Sequence, residues 1–451
     1  MPLNHLHHPR HSLLSALRRL LLTGLLAAGL LLGLGTSPAA AHAGLLSATP
    51  SDGAVLATAP RQVKLVFSEE VTLRLSSIRV IAPNGHRVDS GPPQAAGTTL
   101  TVPLDPDGQQ GSYVVDWRVT AADDGHTTAG AVVFSVGAPS RNAALAGSGN
   151  RDRLTDAAQD LAVWLGLAGL AALVGCAAVR LYCLPADAEP AAEGLRRPAS
   201  AGWTALLAGT VLQLFAYGPA SEGQSLAHLA DRSLLSATLS SHQGQMLVAR
   251  ILLLALVAAV SGPLLRRGPA ATASAAVLTL LLALTWAETS HAAGGSLVPL
   301  ALLVTTLHVA AMAVWAGGLL ALAVLHRRGV ELAATAQRFS RLAAGSVLLL
   351  AATGLYQAFR EVSSAAALTG TSYGRLLIVK AALLLAVLAA AAVTRRRLAR
   401  GSRAPGRTVL LELAGVTVIL VVTVLLLATA PARSTGGGVP AEAVPAATAG
   451  R

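Results

Sequence analysis

Apolar and polar positions alternate along the stretch between residue 42 and about residue 136. A period of two is typical of strands that bury one face. Dipeptides such as Asp52-Gly53 and Asn84-Gly85 separate the alternating runs and favour hairpin turns. Short strands at this spacing predict an all-β Greek-key sandwich or barrel, with an immunoglobulin-like arrangement. The alternating runs cover residues 63–67, 77–81, 99–104, 113–119 and 131–136.

Long apolar runs dominate the rest of the chain. Each is close to the roughly 20 residues that a helix needs to cross a bilayer. The chain is 53% hydrophobic and only 12% charged, whereas a soluble chain carries about 25% charged residues. We therefore predict a multidomain protein in which an all-α transmembrane bundle of about eight helices follows the β domain. The runs cover residues 159–183, 199–219, 245–264, 270–289, 300–323, 342–359, 374–394 and 408–430.

The first residues have the pattern of a secretory signal peptide. Three arginines precede an apolar stretch at residues 20–34 and small residues at 39–41. Cleavage after Ala41 would leave His42 at the new N-terminus, whereas cleavage at the overlapping Ala41-His42-Ala43 site would remove His42. An uncleaved anchor is the other reading. The predicted parts are a signal peptide at 1–41, a β domain at 42–137, a linker at 138–156, a helical domain at 157–431 and a disordered tail at 432–451.

The arginines are unevenly distributed between the loops that join the apolar runs. The formal net charge is +12, and only Lys64 and Lys380 are lysines. If the β domain is exported, the outer loops hold only Arg232, Arg360 and Arg375, as the positive-inside rule requires. This pattern indicates a multi-pass protein of a bacterial cell membrane with an extracytoplasmic β domain, and it does not favour nucleic acid as a partner. No G-x-x-x-x-G-K nucleotide loop is present, which argues against an ATP-driven pump.

Three residues of the β domain form a candidate metal site. A mature N-terminal His42 would offer both its amine and its imidazole, and the D-x-H pair Asp124 and His126 would project to one side of an extended segment. Two imidazoles, an amine and a carboxylate form the tetragonal N,O set that Cu(II) prefers. By spacing alone, the D-x-H pair is also compatible with a solvated turn.

A second group of candidate ligands lies in the helical part. Met312 follows His308 by four residues, and Met246 follows His242 by four, so each pair shares a helix face. His291 lies just past the outer end of a predicted helix. Imidazole and thioether together suit Cu(I), although a packing Met beside a capping or loop His is the alternative. Cys176 and Cys183 share a helix face as a thiolate pair or, more simply, as small hydrophobes.

The polar segment resembles the CopC family of periplasmic copper-binding proteins. The resemblance is carried by residues 42–43, 49–54, 59–69, 111–119 and 123–126. It implies a β-barrel on which His42, Asp124 and His126 bind Cu(II). Some members of that family also have a Met-rich Cu(I) site, but this β domain contains no methionine.

The helical part resembles the CopD family, which is associated with copper uptake and homeostasis. The most specific matching segment is 307–318, and residues 338–341, 353–354 and 371–377 add to it. Together the two resemblances imply copper binding outside the membrane, copper transport across it, and copper ions and the lipid bilayer as partners. We expect no catalytic activity. The alternatives are a histidine-brace copper enzyme that oxidises polysaccharides and a haem-binding membrane redox protein.

Overall fold

The structure is a computed structural model, and its β domain and helices can be followed along most of the chain. The predicted signal peptide and tail lie outside the described residues, as do His42, Asp124 and His126. The structure describes residues 44–105, 108–122, 125, 127–139, 152–185, 187–261, 268–293, 297–330, 333–362, 365–399, 406–427 and 429.

Eight strands form two four-stranded sheets that pack face to face, which confirms the predicted β sandwich. The sheet orders are β1-β3-β6-β5 and β2-β8-β7-β4, and all pairs are antiparallel except β2 with β8. Alternate residues of one strand enter the core, for example Val63 and Leu65, as the period of two predicted. The strands are β1 (Leu45–Thr49), β2 (Val55–Leu56), β3 (Gln62–Phe67), β4 (Val71–Ile81), β5 (Gln94–Ala96), β6 (Thr99–Pro103), β7 (Gly111–Ala121) and β8 (Thr127–Val136).

Eleven α-helices occur among the described residues after the sandwich, and eight of them are long. Seven helical stretches are long and apolar enough to cross a membrane, and the last helix adds 22 residues of which the described apolar part is Leu413–Leu427. The prediction of about eight membrane helices is confirmed. The helices are α1 (Arg153–Ala178, continued by a π-helical turn at Val179–Cys183), α2 (Glu189–Gly194), α3 (Arg196–Glu222), α4 (Arg232–Ser240), α5 (His242–Ala259), α6 (Pro269–Ala287), α7 (Val298–Arg327), α8 (Ala333–Glu361), α9 (Ala365–Gly370), α10 (Ser372–Ala399) and α11 (Gly406–Leu427).

Glycines let α1 lie in the middle of the bundle. A Cβ on Gly169 would lie 2.5 Å from the backbone nitrogen of Leu206 in α3, and one on Gly175 would lie 1.9 Å from the carbonyl carbon of Gly317 in α7. Helices in lipid associate mainly through such close backbone contacts, because apolar side chains gain little by leaving apolar lipid. The small residues of α1 therefore fix α3 and α7 on its two sides.

The sandwich is docked on the outer ends of α3 and α4 through an irregular part of β4. The register of β4 against β7 shifts between Thr72 and Ser77, and Leu75 within this bulge has a positive φ of 59°. The bulge directs Leu75 away from the sandwich core into a small buried cluster with Tyr217 of α3 and Leu234 of α4. The strand irregularity thus supplies the apolar contact between the two parts of the chain.

Candidate functional site

Two described residues that lie close in sequence to the candidate ligands of the β domain are hydrogen-bonded to the same turn of the sandwich. Near the start of β1, the amide of Gly44 donates to Ser68 Oγ at 3.0 Å, and the amide of Ser68 donates to the Gly44 carbonyl at 2.8 Å. After β7, the amide of Ala122 donates to the Glu70 carbonyl at 2.9 Å.

The turn that contains Ser68 and Glu70 joins the two described residues. In the sequence, His42 precedes Gly44 by two residues, and Asp124 follows Ala122 by two. The candidate ligands themselves lie outside the described residues.

Gly125 is the one described residue of the D-G-H motif, and it contacts the membrane helices. Its carbonyl accepts a hydrogen bond from the Tyr217 hydroxyl of α3. Its φ is +73°, and a Cβ at this position would lie 2.9 Å from Tyr217 Oη and 3.3 Å from Gln243 Cβ of α5. Glycine is required here both by the left-handed backbone and by the lack of space.

Arg118 of β7 forms a polar contact beside this loop. Its guanidinium donates to the carbonyls of Ala220, at 2.5 Å, and Ser221 in the last turn of α3. The Ala220 carbonyl also accepts from the Gly223 amide at 3.3 Å. The last carbonyls of a helix carry the negative end of the helix dipole, so a cation is favoured there. Arg118 and Tyr217 together hold β7 and Gly125 over the outer ends of α3 and α5.

His242 lies next to the residue that Gly125 contacts. It begins α5 directly after the N-cap Ser241, and its Nε2 is 3.1 Å from the Glu288 carbonyl and 3.5 Å from a Glu288 carboxylate oxygen. Both partners are acceptors, so Nε2 is the donor in this contact. Met246 follows one turn deeper and is half-buried. His291 begins a 3₁₀ turn three residues after Glu288, and its side chain lies outside the described residues.

His308 lies in a different interface, between α7 and α8. Its Nδ1 is 2.8 Å from Thr353 Oγ1, and the Thr353 hydroxyl hydrogen is donated to the Leu349 carbonyl at 2.6 Å. Because a hydroxyl has one hydrogen, Nδ1 must be the donor, which leaves the lone pair on Nε2. One turn outward, Gln357 Nε2 donates to Thr305 Oγ1 at 3.0 Å.

Apolar packing surrounds the remaining candidate ligands of the helical part. Met312 packs against two apolar core clusters. Cys176 and Cys183 are buried in one of these, as expected of small hydrophobes. Within the described parts of the chain, no group of three or more His, Cys, Asp or Glu side chains is placed to hold a metal ion.

Comparison with known proteins adds to this geometry. A family profile described as "CopC domain" matches residues 45–137, and one described as "Copper resistance protein D" (CopD) matches residues 333–430. The copper transport protein CutJ of Bacillus subtilis (strain 168) is 26% identical over 355 residues, which are 76% of this chain and 65% of CutJ. The chain thus matches slightly less than two thirds of that relative's length.

Shorter proteins match the β domain alone. Protein YobA of Escherichia coli (strain K12) is 34% identical over 99 residues, which are 21% of this chain and 79% of YobA. The crystal structure of CopC from Methylosinus trichosporium OB3b is 34% identical and covers 22% of this chain and 98% of that one, with a TM-score of 0.20.

The chain contains a CopC domain and a CopD segment. Its CopC part is the β sandwich, and the CopD profile begins at the first residue of α8. The chain is a multi-pass protein of the bacterial cell membrane, and its CopC part is extracytoplasmic.

Several residues that link the CopC part to the membrane helices have no signal in the sequence pattern. Tyr217 and Gln243 read as ordinary members of apolar helices, and Leu75 reads as one more apolar strand position.

Arg250 has a visible signal in the sequence, since an arginine inside a membrane helix is costly and usually functional. It is 1% exposed, donates to Thr285 Oγ1 at 2.9 Å, and stacks on Trp286 with 3.9 Å to the ring centroid.

Proposed function

We propose that this protein binds copper outside the membrane with its CopC part and passes it to the CopD part for transport. The family profile is that of a copper resistance protein, and the relative CutJ is named a copper transport protein. The finer parts of the proposal are a Cu(II) site at His42, Asp124 and His126, maturation by cleavage after residue 41, and inward movement of copper.

One observation carries the transfer step. Gly125 lies between two proposed ligands in sequence and contacts Tyr217 and Gln243, and His242 directly precedes Gln243 at the start of α5. Copper released from the D-G-H motif would therefore meet the imidazole of His242 first. The adjacent Glu288 carboxylate favours a cation at this position.

Met246, His308 and Met312 are the proposed ligands further into the membrane, and His291 is a proposed ligand just past the outer end of α6. Met246 shares the face of α5 with His242, and His308 presents its Nε2 lone pair in the α7–α8 interface. Imidazole binds copper in either oxidation state, so the transfer to His242 requires no electron transfer. The histidines accept and release the ion, and the transmembrane helices exclude water around it.

The docking contact also bears on the alternative of a polysaccharide-oxidising enzyme. Such an enzyme needs an open copper face on which a polymer can lie. Here Tyr217 and Gln243 cover the D-G-H loop at Gly125, which supports transfer to the membrane helices instead.

Electron paramagnetic resonance of the purified full-length protein titrated with Cu(II) tests the site. We expect one tight tetragonal site that weakens at least tenfold in His126→Ala and in a variant with one residue added before His42. His86→Ala is the matched control, because His86 is an exposed turn histidine of the same domain. Equal binding in all four proteins would contradict the site, and a Soret absorption band would favour the haem alternative.

Copper uptake by cells that express the protein tests the transfer. His242→Ala should lower the initial uptake rate, whereas His228→Ala, at an exposed histidine of the outer segment between α3 and α4, should not. Uptake equal in both variants would remove His242 from the path.

A further inference from the structure

A cavity of about 370 Å³ opens between the ends of α1, α3, α5 and α6 that lie opposite the sandwich. α3 ends against the extracytoplasmic CopC part, so the opposite end of α3, and with it Arg180 of α1 in the same cavity, lies on the cytoplasmic side. Arg196 begins α3 and Ser261 follows α5, and both line the same cavity. The cavity is therefore at the depth of the inner leaflet, well removed from the proposed copper path.

The wall of the cavity changes from basic to apolar with depth. Arg180 and Arg196 line its mouth on the cytoplasmic side, and Leu173 and Leu282 line its deeper part. Seven residues of helix separate Arg180 from Leu173, which is about 10 Å along the axis. Trp203 closes the cavity where its indole N–H donates to the Leu254 carbonyl of α5 at 3.0 Å. The cavity can thus take an anionic group at its mouth and an apolar chain beyond it.

The mouth carries net positive charge. Arg180 is only 8% exposed, so its charge acts in a poorly hydrated environment where electrostatic attraction is strong. Arg196 is paired with Glu193 at 3.2 Å, but both side chains are more than half exposed, and such surface pairs are readily exchanged. None of the described residues that line the cavity is acidic. A phosphate could therefore approach both arginines.

We propose that this cavity binds one anionic phospholipid of the inner leaflet, with its phosphate at Arg180 and Arg196 and an acyl chain along Leu173 and Leu282. Basic pockets between transmembrane helices on the cytoplasmic side are suited to acidic headgroups. The volume lies within the range of ligand sites and accommodates part of one chain. The bound lipid fills the space between α1, α3, α5 and α6 and holds these helices together.

Native mass spectrometry of the full-length protein in detergent tests this site. The protein is titrated with phosphatidylglycerol and, separately, with phosphatidylcholine of the same acyl chains. We expect one phosphatidylglycerol to bind at least tenfold more tightly than phosphatidylcholine, and Arg196→Gln and Arg180→Gln to abolish the preference. Arg341→Gln is the control, because Arg341 is an exposed arginine near the cytoplasmic end of α8 and does not line the cavity.

Ala199→Trp provides a second variant that keeps both arginines but fills the cavity from α3. We expect it to lower the occupancy of phosphatidylglycerol as well. Equal affinity of the wild type for the two lipids would overturn the proposal, as would an equal loss of preference in Arg341→Gln. Retention of full binding by Ala199→Trp would show that the acyl chain lies elsewhere and would also overturn it.

Discussion

The contact between Gly125 and Tyr217 couples the proposed copper loop to the membrane helices through a single residue. Gly125→Ala places a methyl group 2.9 Å from Tyr217 Oη and forces a left-handed alanine. The left-handed backbone alone costs about 1–2 kcal/mol, and 1.4 kcal/mol corresponds to about a tenfold change in an equilibrium constant. We expect copper uptake to fall by about tenfold, measured as the initial rate in cells.

A matched substitution at Gly85 separates the effect of backbone strain from the effect of lost docking. Gly85 has a similar φ of +85°, but a Cβ there would meet no atom within 4 Å. Gly85→Ala should therefore lower the stability of the sandwich to a similar extent and leave uptake unchanged once expression is equalised. An equal loss of uptake in the two variants would mean that backbone strain, rather than docking, is responsible.

Asp89 supports a pH-dependent part of the stability of the sandwich. Burial raises the pKa of its carboxyl group, but hydrogen bonds from Arg87 and from the Val80 amide outweigh this effect, so the pKa lies below the ordinary value of 3.8. A carboxyl group whose pKa is lower in the folded than in the unfolded state stabilises the fold at pH values above its unfolded-state pKa. This stabilisation is lost as the pH falls through the folded-state pKa. We expect the midpoint of thermal unfolding of the wild-type sandwich to fall steeply below about pH 4.

Asp89→Asn tests this assignment by calorimetry as a function of pH. The variant should be less stable than the wild type at pH 7, and the difference should shrink below about pH 4. Arg87→Gln should reproduce the effect, because it removes the partner and leaves the carboxylate. A constant difference between wild type and Asp89→Asn from pH 7 to pH 3 would exclude the ion pair as its source.

At the scale of elements, periodicity predicted the regular part of the fold. The alternation of Val63 and Leu65 with polar neighbours gives β3, and uniform apolar runs give the long helices, because backbone groups in lipid must be satisfied within a helix. The predicted runs and the observed helices differ mainly at their ends. Arg153–Ala178 begins before its apolar run because Asp152 caps the helix and accepts from the amides of Leu154 and Thr155.

The elements that the sequence did not predict are those set by tertiary contacts. The nine-residue helix α4 is too short and too polar to appear as an apolar run, and its place is set by Leu234 packing on Leu75 and Tyr217. The bulge in β4 between Thr72 and Ser77 has no signal in the sequence, because it contains no glycine or proline that would mark it. For the candidate site, the sequence could propose ligands but could not reveal that Gly125 lies against α3 and α5.

The closest contact between helices leads to a prediction about the bundle. A Cβ on Gly317 of α7 would lie 1.6 Å from the Ala171 carbonyl oxygen of α1. Backbone atoms cannot move aside as a flexible side chain can, so Gly317→Ala must separate the two helices. We expect a loss of about 3 kcal/mol in the free energy of unfolding, at the upper end of ordinary overpacking costs, visible as a lower thermal midpoint in detergent.

Gly345 of α8 provides the control for helix propensity. A Cβ there would meet no atom within 4 Å, so Gly345→Ala should stabilise the helix by about 1 kcal/mol. The two substitutions are chemically identical, and opposite signs would identify the α1–α7 contact as the cause. If both variants changed the thermal midpoint in the same direction, close packing at Gly317 would not be limiting.

At the scale of the whole molecule, the proposed function requires that the sandwich stay docked on the bundle. Tyr217 takes part in two of the contacts, to Leu75 and to Gly125, and Arg118 makes the third at the end of α3. Such a small interface can open and close, so docking is a step at which the transfer rate can be changed without altering either metal site. Arg118 is suited to a test because it is not a proposed ligand.

Arg118→Gln removes two hydrogen bonds from a charged donor, each worth about 1.5–3 kcal/mol. We expect copper uptake to fall severalfold, while Cu(II) binding at the sandwich, followed by electron paramagnetic resonance, stays within about twofold of the wild type. Hydrogen exchange should increase at the outer end of α3. Arg79→Gln is the control, because Arg79 pairs with Asp116 at 2.8 Å across β4 and β7, within the sandwich. If Arg118→Gln transports copper as fast as Arg79→Gln while its helix end becomes more exposed, copper reaches the membrane part without docking, and the site at His242 is supplied from solution.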